Sequence, residues 1–206
     1  MNTFYIVRHG KTRWNLEKRT QGTMDSPLLE QSVEEAKILG ERLKHYNIDR
    51  VYSSDLKRAQ DTAALLAPGQ EIRTEQGFRE IGFGVWEGLT YEEILSSHRE
   101  LLEQWKRDPG GVVFPKGESV LGVQERAGKA FWNIDQREEG KNFLIVSHGI
   151  TIKLLMASLL GMPISGIFRI AQENLALNVI RTKDGRAEIL AMNDTAHLEG
   201  RKGNSR

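Results

Sequence analysis

Phe4-Tyr5-Ile6-Val7-Arg8-His9-Gly10 and, far downstream, Phe143-Leu144-Ile145-Val146-Ser147-His148-Gly149 carry almost the same text. Each is an apolar run, rich in β-branched residues, that stops at His-Gly. A continuous apolar run of this length reads as a strand buried on both faces, the condition of a parallel sheet. In such sheets ligands bind just beyond the carboxyl ends of the strands. Two histidines are thus delivered to the place where α/β folds do their chemistry. The glycines that follow, Gly10 and Gly149, let the backbone turn tightly or approach a ligand closely.

The pattern around these strands alternates. After the first strand (Thr3–Val7) and a loop through Pro27, Val33, Ala36, Leu39, Leu43 and Tyr46 recur at helical spacing. A short strand at Arg50–Ser53, a helix from Leu56 to Ala67 stopped by Pro68-Gly69, and a strand near Glu71–Arg73 follow. Thr90-Tyr91-Glu92-Glu93 is a capping box and predicts one helix running to Arg107. Beyond Pro109-Gly110-Gly111, Val120, Val123, Ala127, Ala130 and Ile134 predict a long helix over Ser119–Arg137. The second His-Gly strand, Asn142–Ser147, precedes a helix at Thr151–Leu160. Asp184-Gly185 between Leu175–Arg181 and Ala187–Asn193 signals a hairpin. The expected fold is α/β: a three-layer α/β/α sandwich around a mostly parallel central sheet, with an antiparallel hairpin near one edge. Residues 1–198 are expected to form a single domain. Within it, 87–118 is a helical excursion near the pocket, and 199–206 is a disordered tail.

Bulk properties exclude several classes. The 206 residues contain no cysteine, which rules out disulfides, thiolate metal sites and a cysteine nucleophile. Net charge is +1, and the tail with Glu199, Arg201, Lys202 and Arg206 accounts for +2. The body is therefore near −1 and lacks the basic footprint of a nucleic-acid binder. The opening residues enter a strand without a basic n-region or h-region, so no signal peptide is expected. No apolar stretch approaches the ~20 residues that span a bilayer. A cytoplasmic protein without nucleic-acid or membrane partners is the expectation. A homodimer through the edge strand or hairpin stays open.

The chemistry is carried by residues that converge on one space. A neutral imidazole, His9, is a nucleophile, and the adjacent Arg8 offers a planar fork matched to phosphate. In Ser53–Ala63, Arg58 enters the first turn of a helix, where free N–H groups and the dipole favour anions. His148 arrives from the second strand end. Transfer of a phosphoryl group also needs a proton donor for the leaving oxygen. Arg79-Glu80-Ile81-Gly82-Phe83-Gly84-Val85-Trp86-Glu87-Gly88 is the candidate source, and physics alone leaves Glu80 and Glu87 both open.

Taken in order, Arg8–Asn15, Ser53–Ala63, Arg79–Gly88 and Ser147–Gly149 resemble the motifs of the histidine phosphatase superfamily, in its phosphoglycerate-mutase-like branch. The resemblance runs from Thr3 to about Leu198. It implies that His9 is a nucleophile forming a phosphohistidine. It implies that Arg8, Arg58 and His148 hold the phosphoryl oxygens, with Asn15, Gln21 and Gly149 lining the same pocket. Glu80 matches the family's proton donor. No metal or other cofactor is implied, and the ligand is a small phosphate ester.

Departures narrow the expectation. The mutases follow the matching Glu with an Arg that helps hold the substrate carboxylate, and here Ile81 stands in that place. They also carry a paired-Arg segment on a longer chain. The expected function is therefore a metal-independent phosphomonoester hydrolase, of the broad-specificity or α-ribazole-5′-phosphate type. A phosphoglycerate mutase is one alternative, and a non-catalytic phospho-ligand-binding protein is the other. With Ile81 and Phe83 near the pocket and no extra basic cluster, the ester is expected to be modest in size and partly apolar. Phe83 and Trp86 flank Glu80 and are candidates to touch it. His197 is a candidate for the pocket mouth. Lys11, Leu29 and Ser32 also depart from the family and fall outside the phosphate constellation.

Overall fold

The computed structural model describes residues 1–199. Of the expected tail, residues 200–206 lie outside the described residues. The elements in chain order are β1 (Asn2–Arg8), α1 (Arg13–Leu16), α2 (Glu30–Leu43), β2 (Arg50–Ser53), α3 (Lys57–Leu66), β3 (Ile72–Thr74), α4 (Tyr91–Ser97), α5 (Arg99–Arg107), α6 (Val120–Arg137), β4 (Asn142–Ser147), α7 (Gly149–Leu159), β5 (Leu177–Lys183) and β6 (Arg186–Asp194). They build one six-stranded sheet in the order β3-β2-β4-β1-β5-β6. The pairs β3–β2, β2–β4 and β4–β1 are parallel. The β5–β6 hairpin runs antiparallel at one edge, turning through Asp184 and Gly185, both at positive φ.

The apolar runs of β1 and β4 are continuous because both faces of the sheet are covered. Phe4, Ile6, Phe143 and Ile145 pack against Ala127, Phe131 and Ile134 of α6 and Ile152, Leu155 and Met156 of α7. Tyr5, Val7, Leu144 and Val146 point the other way, onto Ala36, Leu39 and Leu43 of α2 and Ala59, Ala63 and Leu66 of α3. Each fully buried side chain of this size contributes roughly 1.5–3 kcal/mol. Helices therefore cover both faces, and the fold is a three-layer α/β/α sandwich. No helix among the described residues is long and apolar enough to cross a membrane.

Two elements differ from expectation. The helix opened by Thr90, whose capping box with Glu93 is fully formed, breaks at His98 into α4 and α5. Near the break Ser97 Oγ donates to the Glu93 carbonyl at 2.6 Å, a side-chain bond that competes with the helical ladder. The short α1, capped reciprocally by Thr12 and Asn15, had no apolar stripe to reveal it.

Residues of 87–118 join neighbours from the loop before them and from α6 and α7 in a third apolar cluster. Trp86, Ile94, Leu102, Trp105 and Phe114 pack there on Val120 and Val123 of α6 and Leu154 of α7. Ile81 is fully buried in the same cluster, so it does not face the cleft as expected.

Candidate active site

β1 and β4 are adjacent and in register, Arg8 beside Ser147. After them the chain departs to opposite faces, toward α2 from β1 and into α7 from β4. That divergence is a topological switch point and opens a crevice beyond the strand ends. His9 N donates to the Ser147 carbonyl at 2.9 Å, which carries the strand pairing one residue further. The imidazoles of His9 and His148 face each other with ring centroids 5.1 Å apart. The crevice is a cleft of about 320 Å³. Arg8, His9, Asn15, Gln21, Arg58, Glu80, Phe83 and Gly149 line it, as expected from sequence. His148, expected there too, is fully buried and does not itself line the cleft; it adjoins it through His9.

His9 is buried and its Nδ1 lies 2.7 Å from the Gly10 carbonyl. A carbonyl only accepts, so Nδ1 carries the proton and the Nε2 lone pair is free; the tautomer is assigned from this bond. Burial, then the Arg58 and Arg8 cations, hold the imidazole well below its usual range, so it is neutral near pH 7. The Asn174 amide donates to the His9 carbonyl, and the Gly10 N–H donates to Thr62 Oγ1 of α3. His148 is likewise held well below the usual range by burial and then by Arg58. Neither of its ring nitrogens has a partner among the described residues.

The arginines are held by their backs. Arg58 donates to the carbonyls of Met24 (2.7 Å) and Gly22 (2.7 Å) and pairs with Asp25 at 2.8 Å. Arg8 donates to the Gln172 carbonyl at 2.6 Å. The Nε atoms of both are buried without a partner among the described residues. Asn15 spends its Oδ1 on the Thr12 N–H, and its residue lines the cleft. Gln21 is buried with its Oε1 unpartnered. Buried polar atoms are normally hydrogen-bonded, and so many orphans around one cleft mark the place of a polar, anionic ligand.

The structure separates the two acids. Glu80 lines the cleft and its carboxylate caps α7: Oε1 accepts from the Ile81 (3.0 Å) and Thr151 (3.1 Å) N–H groups, and Oε2 from Ile150 (3.2 Å). Arg126 holds the loop beneath it through the carbonyls of Gly77, Arg79 and Glu80 and pairs with Glu118. Glu87 is instead committed to fastening two loops, accepting from the N–H groups of Thr23 (2.9 Å) and Phe83 (3.0 Å).

The other aromatic and histidine candidates divide. Phe83 lines the cleft, with Trp86 stacked behind it at 6.2 Å. Trp86 is buried in the third cluster and does not line the cleft, nor does His197, which sits beside Arg42 and Asp194. No residue of 87–118 lines the cleft; the excursion borders it by bonding to lining residues, Thr20 N–H to the Leu89 carbonyl (2.8 Å) and Arg19 to the Gly88 carbonyl and Glu93.

Sequence reasoning missed Arg19, Thr20, Gly22, Ile150, Lys153 and Gln172, all of which line the cleft. The expectation of no further basic groups there does not hold. Lys153 had a legible signal: it is the sole charge in the helix Gly149–Leu159, four residues after Gly149. Gln172 had none, because it comes from a loop before β5.

An uncharged nucleophilic nitrogen, two arginines, a second imidazole and a carboxyl around one sheet-end cleft define a site suited to a phosphate ester. The family model of the histidine phosphatase superfamily (branch 1) matches residues 4–195. "Phosphoserine phosphatase 1" of Hydrogenobacter thermophilus is 32% identical over 195 residues, covering 94% of this chain and 92% of its own. "Probable phosphoglycerate mutase GpmB" of Yersinia pestis is 31% identical, with 95% and 94% covered. The solved structure of Bacillus stearothermophilus YhfR superposes with a TM-score of 0.92 at 33% identity, covering 97% of this chain and 100% of that one. The chain belongs to the histidine phosphatase superfamily.

Proposed function

We propose that this protein hydrolyses small phosphate monoesters through a phosphohistidine at His9, without a metal ion. The observation that carries the reading is the His9 Nδ1–Gly10 carbonyl bond, which leaves the Nε2 lone pair free in a cleft lined by Arg8 and Arg58. Nε2 attacks phosphorus as the bond to the leaving oxygen breaks, and protonated Glu80 gives that oxygen its proton. Glu80, now a carboxylate, takes a proton from water as the water attacks phosphorus. The N–P bond breaks and inorganic phosphate leaves. Arg8, Arg58 and His148 stabilise the charge on the transferring group. The two arginines supply the cationic charge that a metal ion supplies elsewhere, and His148, held neutral, acts as a hydrogen-bond donor. Asn15, Gln21 and the Gly149 backbone complete the pocket.

The test is release of inorganic phosphate from a panel of esters in EDTA. Release that persists in the chelator and falls at least roughly 10⁴-fold in His9→Ala supports the reading. Persistence of activity in His9→Ala, or its loss in EDTA, sinks it. Glu80→Gln is expected to cost roughly 10²–10⁴-fold on alkyl esters and far less on p-nitrophenyl phosphate, whose leaving group needs no proton. Likeness to the relative named a mutase favours a second reading, in which phosphate passes to an acceptor instead of water. Conversion of 3- to 2-phosphoglycerate without phosphate release would establish it. Silence on every ester would favour a non-catalytic binding protein.

A further inference from the structure

Two cleft residues have no part in the reaction just described. Lys153 lies one turn into α7, in line with Gly149, so it projects toward the same end of the helix. It lines the cleft, and its ammonium has no carboxylate within ion-pair distance among the described residues. Burial and the Arg8 cation push it toward the neutral form, while Glu80 and Glu173 act the other way. Gln172 also lines the cleft. Its carbonyl accepts from Arg8 at 2.6 Å, which fixes the residue against the phosphate cradle. The residue is only 5% exposed, yet neither Nε2 nor Oε1 of its side-chain amide has a partner among the described residues. Leaving a buried amide unpaired costs about 1–3 kcal/mol. A ligand that pairs it removes that cost.

We propose that Lys153 and Gln172 form a subsite beside the phosphate cradle that binds a carboxylate on the leaving group of the ester. This rests on the phosphatase reading and deepens it. One ammonium and one amide N–H match the two oxygens of a monoanion. A second phosphate dianion is poorly served, because the remaining cleft cation, Arg19, is already engaged by Glu17, Glu93 and the Gly88 carbonyl. Ile81, where the mutases carry an arginine, is sealed in the third cluster. The carboxylate is therefore read from α7 and the loop before β5.

The test compares kcat/KM on matched esters: 3-phosphoglycerate against glycerol 3-phosphate, and phosphoserine against phosphoethanolamine. The first of each pair carries the carboxylate, and p-nitrophenyl phosphate reports phosphatase activity as such. The protein is expected to prefer the carboxylated ester by roughly tenfold or more. Lys153→Met is expected to collapse that ratio toward one, chiefly through KM, and Lys153→Arg to preserve it. Gln172→Leu, which keeps the carbonyl on Arg8, is expected to lower the ratio as well. Equal turnover within each pair overturns the subsite while the phosphatase reading stands. So does an equal loss on both esters in Lys153→Met, which would mark a general electrostatic role. Failure to hydrolyse any ester, p-nitrophenyl phosphate included, overturns both.

Discussion

The two His-Gly strand ends share most of their sequence and one end of the sheet but not a structural state. His9 leads into a loop, and every polar link around it but Nε2 is satisfied: Nδ1 to the Gly10 carbonyl, its own carbonyl to Asn174, and the Gly10 N–H to Thr62. His148 leads straight into α7 as its N-cap residue, with both ring nitrogens unpaired. The glycines differ too. A Cβ on Gly10 would sit 2.7 Å from Ser32 Oγ, whereas one on Gly149 would sit 3.4 Å from the Arg8 guanidinium. One strand end is built to hold a tautomer, and the other to stay available. Nearly the same text acquires different roles from what packs around it.

The largest effect that breaks this comparison is on the covalent step. His148→Ala is expected to slow turnover roughly 10²–10³-fold and still form a phosphoenzyme, because a stabilising donor is lost and the nucleophile is kept. His9→Ala is expected to form none. Rapid-quench labelling of acid-labile, base-stable phosphate checks this; labelling of His9→Ala but not His148→Ala would reverse the assignment.

Next in size are the glycines. Gly10→Ala is expected to cost about 1–3 kcal/mol in urea unfolding, because Ser32 Oγ must move away from the Lys11 N–H it accepts from. That contact also explains Ser32, one of the departures from the family pattern that had no reading from sequence. Gly149→Ala is expected to change stability by no more than about 1 kcal/mol, since Gly is a poor helix residue, and to raise KM several-fold by pressing on Arg8. Similar stability losses in the two variants would erase the distinction.

The smallest effect is shared by both histidines. Each is held neutral in the fold, below the value near 6.5 at which it titrates when unfolded. Between those values the unfolded chain binds more protons. Stability is thus present above about pH 6.5 and is lost as pH falls, by up to about 1.4 kcal/mol per unit for each histidine. Urea midpoints at about pH 8, 6.5 and 5.5 should fall in that order. His148→Ala should flatten the slope; an unchanged slope would mean that His148 titrates normally.

Much of this protein was legible before the chain folded. The runs in β1 and β4 announce a sheet covered on both sides, because apolar residues at every position need burial on both faces. His9, Arg8, Arg58 and His148 follow from strand ends and a helix start, since chain direction alone carries them to one edge. Other features needed the tertiary structure. Glu80 and Glu87 share a loop and a chemistry; only the N–H groups of Ile150 and Thr151 around one, and of Thr23 and Phe83 around the other, tell them apart. Ile81 and Trp86 looked like pocket residues because they neighbour Glu80, but they turn into the third cluster. Gln172 meets Arg8 across 164 residues, a contact without local pattern. The sequence by itself determined the layers and which strand ends and helix start meet at the cleft, because periodicity and strand direction are local properties. Which acid faces the cleft, which histidine is held, and what reads the rest of the ligand were decided by long-range packing.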